Sequence, residues 1–397
     1  MKKFSARAYV CSLFFILAMI FYSSVVVKEA VAETKTLKIG LITSATGPMS
    51  PAFKPIVDAA KPSEDLINQK GGITVNGQKY NIKVVVMDDQ SSPPGAVAAA
   101  NKLLQEGVKF MIPPMFMPCN MAIAPITEEA KILRMKSFGM GPQEVNPKVP
   151  YSFYASASIL NVRPVYDYLR KNYTGVKKIA ILAPDDPGLL DAKALVEKTA
   201  KERGLEIVSN ELFTIGTEDF YPLLTKALEK KPDAIDCVVS IIPWAAGVIN
   251  QSRELGFKGP IYAPCLFGDI NILNSVLKPE YAYDIFHGGP DVLSDKMLPI
   301  IKEIHNLMEQ RNIGPFQMES TIVLDGLLPI LQGIEKAQNF DTDKVVEALD
   351  NMESIDTIYG KGRMGGMEIF GINHVIVRPI TLSRIMHGNV EFEFLKQ

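Results

Sequence analysis

Leu37-Lys38-Ile39-Gly40-Leu41-Ile42, breaking at Ser44-Ala45-Thr46-Gly47-Pro48, opens the stretch that decides the fold. The stretch runs from Thr36 to Ala130. After the break comes a helix-length segment that ends at Asn68-Gln69-Lys70-Gly71-Gly72-Ile73. A second strand-like run, Ile82-Lys83-Val84-Val85-Val86-Met87, turns at Asp88-Asp89-Gln90-Ser91-Ser92-Pro93. A helix from Gly95 to Leu104 leads to a third strand, Phe110-Met111-Ile112, which stops at Pro113-Pro114. Strand, loop and helix in strict alternation predict a parallel sheet with helices on both faces. In such sheets ligands bind outside the carboxyl ends of the strands, where these loops fall.

Outward from this stretch the alternation repeats. A helix over Asn120–Ala130 and a strand near Ile132–Met135 complete the first unit, and Pro150-Tyr151-Ser152-Phe153-Tyr154 reads as a crossover. Strands follow at Lys178–Leu182, Leu205–Leu212, Ile235–Ser240 and Pro260–Ala263. Helices separate them at Gly188–Arg203, Phe220–Glu229 and Ala245–Leu255. Two such units suit a chain of 397 residues, more than one hydrophobic core serves efficiently. The fold class is therefore α/β, with two similar doubly wound parallel-sheet lobes joined by a multi-segment hinge. The spans read as a signal peptide at 1–32, lobe one at 33–155 and 287–359, and lobe two at 156–286 and 360–397. Strands such as His374–Arg378 would then add to lobe two.

Lys and Arg number 42 against 44 Asp and Glu, so no basic face is available for nucleic acid. Met1-Lys2-Lys3 and Arg7, the apolar run Tyr9–Val27 and the small residues of Ala30-Val31-Ala32 predict a secretory signal cleaved after Ala32. The other reading of this run is an uncleaved anchor, because it is long enough to span a bilayer. Cleavage would leave Cys119, Cys237 and Cys265, an odd number. Buried free thiols are expected. No CxxC or HxxxH spacing marks a metal site, and neither a metal nor a cofactor is expected.

The order of these loops resembles the solute-binding proteins of ABC importers, in particular the leucine/isoleucine/valine-binding protein family of type I periplasmic binding proteins. Thr46-Gly47-Pro48, Lys70-Gly71-Gly72-Ile73 and Asp88-Asp89-Gln90-Ser91 carry the resemblance in the first unit. Asp219-Phe220-Tyr221-Pro222-Leu223-Leu224 and Lys231-Pro232-Asp233-Ala234-Ile235 carry it in the second. The resemblance implies an exported, monomeric periplasmic protein that closes over a small molecule and presents it to ABC permease subunits. An extracellular sensing module is the alternative role, since the fold alone does not separate them.

Two motifs have bland readings. Gly360-Lys361-Gly362-Arg363-Met364-Gly365 matches GxGxxG but lacks the strand before it and the helix after it that dinucleotide binding needs, so it reads as a glycine-rich turn. Asp185-Asp186 precedes a helix and suits capping better than acid–base chemistry. No G-x-S-x-G, HExxH or P-loop appears, and the chain does not read as an enzyme.

The resemblance also places a ligand site. Amino-acid-binding members hold the ligand carboxylate with a Ser and a Thr hydroxyl of lobe one, and its ammonium with a Tyr and an acid of lobe two. Carried over by position, these fall at Phe116 or Met117, near Met140, at Pro187 or Gly188, and at Cys265. None of the four residue types is kept. A buried ammonium without a partner carries a penalty of several kcal/mol, so free amino acids should bind poorly unless Asp185, Asp186 or Asp269 takes over. Phe53, Phe116, Met117, Asn120, Ser137, Phe138 and Met140 are expected to meet Trp244, Cys265 and Phe267, and Thr46 and Asp186 are further expected ligand-binding residues. Met and flat aromatic side chains suit a small hydrophobic or aromatic carboxylate. Helix-start amides near Asn120 and Ser50, or Lys136, could hold its charge. A branched-chain amino acid is the second ligand class.

Overall fold

The computed structural model describes residues 34–139, 141–185, 189–238, 241–263 and 268–395. The signal segment, Met140, Asp186, Cys265 and Phe267 lie outside the described residues. Among the described residues the strands form two sheets. The first runs, edge to edge, through Ile355–Thr357, Gly360–Gly365, Val375–Val377, Ser152–Tyr154, Leu133–Lys136, Phe110–Ile112, Lys35–Thr43, Gln78–Asp88 and Ile73–Val75. The second runs through Asn389–Leu395, Ile380–Met386, Ile285–His287, Ile261–Ala263, Ala234–Cys237, Lys178–Pro184 and Glu206–Phe213.

The centre of each sheet is parallel, as strand–helix–strand connections require. Lys35–Thr43 pairs in parallel with Gln78–Asp88 and with Phe110–Ile112. Lys178–Pro184 lies likewise between Glu206–Phe213 and Ala234–Cys237. Antiparallel pairs occur toward the edges, among them Ile380–Met386 with Asn389–Leu395. The central strands are buried on both faces; Ile179, Ala180, Ile181 and Leu182 are all fully enclosed. Local chemistry starts the helices: the Ser92 hydroxyl accepts from Gly95 N at 3.2 Å, with a proline in the first turn of Pro93–Gln105. No helix of the described residues is long and apolar enough to cross a membrane.

One expectation is corrected. Gly360–Gly365 and Val375–Val377 were expected beyond the last crossing, with lobe two, yet they extend the first sheet: Val375 pairs with Tyr154, and Arg363 with Val377. The chain reaches the second sheet only at Ile380. Alternation explains the ambiguity. Ile376 and Phe153 point into the first sheet's core, whereas their neighbours Val375 and Tyr154 point into a core of the second. These short strands form the seam between two bodies. The GxGxxG stretch is an edge-side strand rather than a turn, because a β-carbon on Gly362 would stand 2.6 Å from the Ile376 side chain. Gly362 and Gly365 are there for strand packing, and Gly360 adopts a left-handed backbone (φ +116°).

Candidate functional site

Among the described residues, hydrogen bonds tie segments of the first body to helix starts of the second. The Gln143 side-chain amide, from the loop after Leu133–Lys136, donates to the Asp191 carboxylate in the first turn of helix Leu190–Glu202. Asp269, which caps helix Ile270–Val276, accepts from Asn271 N at 2.8 Å and from Met318 N at 3.1 Å. Met318 packs in the first sheet's core and Ile270 in the second's, so the Asp269 carboxylate bridges the bodies. Burial pushes the Asp269 pKa up. It also pushes the neighbouring Glu319 to about 7, helped by the Asp269 charge.

On the first side, the loop after Lys35–Thr43 is tied down by the turn after Gln78–Asp88. The Thr46 hydroxyl donates to Asp88 Oδ2 at 2.5 Å, and the backbone N–H groups of Ala45, Thr46 and Gln90 donate to Asp88 Oδ1 at 3.0, 3.2 and 2.8 Å. Burial acts to raise the Asp88 pKa, but these donors outweigh it and hold the carboxyl below its ordinary value. Ser44 donates to the buried Asp89 at 2.6 Å, and burial pushes the nearby Cys119 thiol up to about 12. That thiol is free, buried and unreactive, as is Cys237. Thr46 is exposed, with its hydroxyl engaged in holding the loop.

The next two loops are set by a buried polar network. Arg134 is fully enclosed and donates to Glu128 at 2.8 Å and to Asn120 Oδ1 at 3.1 Å. Asn120 in turn donates to Glu144 Oε1 at 2.6 Å, and Lys136 forms an ion pair with the same oxygen. Tyr154 donates to Glu144 Oε2 at 2.8 Å, and its hydroxyl oxygen lies 3.0 Å from Gly141 O. Burial pushes the Lys136 pKa down, and the Glu144 charge opposes it. A β-carbon on Gly139 would overlap the Tyr154 ring, so glycine is required there. Asn120 and Lys136, expected to meet a ligand, instead fasten the 137–146 loop from beneath. The network draws on four separate segments, and no local spacing announces it.

The remaining expected residues divide. Phe53 is 4% exposed and belongs to the first core, turned inward by the helix Ser50–Gln69. Ser137 is buried, and its hydroxyl donates to Ile322 O at 3.3 Å. Phe138 adopts a left-handed backbone (φ +55°) while its N–H is held by Ser156 Oγ at 3.0 Å, leaving the ring half-buried. Phe116 and Met117 begin helix Met117–Glu129 and are also half-buried. Across from them Trp244, in the first turn of Ile242–Glu254, packs edge-to-face on Phe213 with centroids 5.3 Å apart. Asp185 is exposed at the end of its strand. Phe116, Met117, Phe138 and Trp244 are thus the expected aromatic and sulfur side chains that keep accessible surface at strand ends.

Sequence reasoning missed the polar floor between the bodies. Ser156 donates to Asp325 at 2.8 Å, Asn161 donates to Gly288 O, and the Arg378 guanidinium lies 3.7 Å from the Tyr359 ring centroid. Burial raises the Asp325 pKa. With Ser137 and His287 these residues line a cavity of about 20 Å³, room for a single water. They cluster where the chain passes between sheets, which only the topology reveals. Among the described residues no group of three or more His, Cys, Asp or Glu could hold a metal ion.

Comparison with known proteins agrees with this architecture. A family model described as "Periplasmic binding protein" matches residues 36–389. The Leucine-, isoleucine-, valine-, threonine-, and alanine-binding protein of Pseudomonas aeruginosa is 24% identical over 79% of this chain and 82% of its own length. The ABC-transporter solute-binding protein of Rhodopseudomonas palustris HaA2, solved in complex with p-hydroxybenzoic acid, superposes with a TM-score of 0.72 at 20% identity, covering 91% of this chain and 98% of that one. LivJ of Streptococcus pneumoniae in complex with isoleucine gives 0.71 at 19% identity, covering 91% and 100%. With two α/β sheets and a family match over most of its length, this chain belongs to the periplasmic binding protein family.

Proposed function

We propose that the protein is an exported receptor that captures a small hydrophobic or aromatic carboxylate between its lobes and hands it to an ABC permease. The observation that carries the ligand class is the lining: half-buried Phe116 and Met117 stand where amino-acid receptors carry a hydroxyl, and half-buried Phe138 and Trp244 stand beside other strand ends. The p-hydroxybenzoic acid complex on the same fold agrees with it. At this helix start the Met117 N–H alone is left to meet an anion, since Pro118 has none and the Cys119 and Asn120 N–H groups donate to Phe116 O. The role is binding, not turnover: closure is an equilibrium biased by a ligand that touches both lobes. Removal of residues 1–32 and a monomeric, periplasmic working form belong to the same reading.

Branched-chain amino acids are the second reading. The name of the Pseudomonas relative favours them, and exposed Asp185 is a carboxylate within the cleft loops that could meet an ammonium. A thermal-shift screen against benzoate, 4-hydroxybenzoate, leucine, isoleucine and valine separates the two. Ligand at a thousandfold excess over Kd stabilises the folded state by about 4 kcal/mol. Protection by leucine or valine with none from the aromatic acids would reverse the order. Protection by none of the five would reject both classes.

A further inference from the structure

Three buried carboxylates gather where the two bodies join. Asp269 starts helix Ile270–Val276 of the second body, and Glu319 lies in the turn Met318–Thr321 of the first. Asp291 sits on the segment that carries the chain from the second sheet back to the first core. Among the described residues their donors are amide N–H groups and not cations. Asp269 accepts from Asn271 N and Met318 N, and Asp291 from Leu293 N at 3.1 Å and the Asn271 side-chain amide at 3.0 Å. Glu319 is 5% exposed, and its Oε2 has no partner. An ionised carboxylate left unpaired in such a place costs several kcal/mol. A second acid beside it adds repulsion. Protonation removes both costs.

The groups around Glu319 do not supply a positive charge. Helix Ser50–Gln69, packed on the same turn, pairs Lys54 with Asp58 and Lys61 with Glu64 and Asp65. Helix Ile322–Ala337 brings Asp325, which takes the Ser156 hydroxyl and feels the Arg378 charge. The Arg378 guanidinium lies over the Tyr359 ring. Tyr359 itself stays neutral, its pKa pushed up to about 12 chiefly by burial. His287 lines the floor cavity with Met318 and Thr321 and is also neutral, since burial lowers its pKa to about 4.

We propose that the join is a proton-operated latch: Glu319 takes up a proton when the bodies close on the Asp269–Met318 contact and releases it when they part. Closing sets Asp269 against Glu319 and seals both from water; opening lets both ionise. In the closed arrangement burial, helped by the Asp269 charge, raises the Glu319 pKa from 4.5 to about 7. A hydrated Glu319 returns to its ordinary value. Between the two values the closed state binds more protons. Its advantage is therefore full in acid below the ordinary value and is lost as pH rises through about 7. The inference rests on the lobe closure proposed above and not on the identity of the ligand.

The test is single-molecule energy transfer between dyes on Ala45→Cys and Glu218→Cys, in a Cys265→Ser background without ligand. Both positions are exposed in strand-end loops, one on each body. The ratio of closed to open molecules should fall roughly tenfold from about pH 5.5 to about pH 8. With Glu319→Gln added, it should change by less than about twofold. Two states in a ratio indifferent to pH, or an equal fall in Glu319→Gln, would overturn the latch alone. A single transfer state at every pH would overturn the closure beneath it as well. Should Glu319→Gln fail to fold, Asp269→Asn decides: with one carboxylate fewer in the join the fall should shrink, and an undiminished fall would overturn the proposal.

Discussion

Asp236→Asn should make the protein more stable at neutral pH and leave it unchanged in mild acid. Asp236 sits mid-strand in Ala234–Cys237, is completely buried, and receives the Tyr166 hydroxyl at 2.7 Å. Its other carboxyl oxygen has no partner. Burial raises its pKa from 3.8 to about 7, against the smaller opposing effect of the Tyr166 hydrogen bond. The unfolded chain releases this proton near pH 4 while the folded protein keeps it until about pH 7. Across that window the folded state binds more protons, so stability falls as pH rises. Roughly three pKa units at 1.36 kcal/mol each amount to about 4 kcal/mol, a large share of a typical folding free energy. Asn retains an acceptor for Tyr166 and cannot ionise. Urea unfolding of both proteins from pH 4 to pH 8 cancels every other titrating group in the difference. That difference should rise from near zero to about 4 kcal/mol in favour of Asn. A difference that stays flat across the range would refute the assignment of a buried, protonated Asp236.

Other substitutions test the scaffold around the cleft. Gly139→Ala forces a methyl into the Tyr154 ring, which the hydrogen bond to Glu144 holds in place, and should cost about 1–3 kcal/mol in urea unfolding; a neutral result would mean the ring moves freely. Lys136→Met strands the Glu144 charge in the interior and should destabilise by about 3–5 kcal/mol, which calorimetric melting would show. Unchanged melting would mean that water reaches the pair. Gln143→Ala removes a hydrogen bond between the bodies and should weaken ligand binding up to roughly tenfold without altering the melting of the free protein. Equal affinity of the two proteins would show that this contact contributes the same to the free and the ligand-bound state.

The order of elements was legible because strand–loop–helix alternation is local and each central strand is buried on both faces. The run Leu37–Ile42 falls inside Lys35–Thr43, and Phe110–Ile112 is matched end to end. The seam was not legible. Val375 and Ile376 look alike in sequence, yet they point into different cores, and a three-residue strand carries too little pattern to reveal that. Helix Thr342–Asp350 and the C-terminal strand pair from Ile380 were passed over because loops and short elements hide their period. In the site, apolar positions such as Phe116 and Trp244 could be placed by counting from strand ends. Asn120 and Ser137 could not, since their buried partners lie 14 to 185 residues away. Polar side chains declare their partners only in three dimensions.

The account rests on a cleft that grips an acid and has no place for an amine. Calorimetry with matched pairs addresses that directly: 3-phenylpropanoate against phenylalanine, and 4-methylpentanoate against leucine, each pair differing only by the amino group. An unpaired buried ammonium costs several kcal/mol, so the deaminated acid of a pair should bind at least about a hundredfold more tightly. Tighter binding of the amino acid in either pair would contradict the account and point to an acidic group holding the amine.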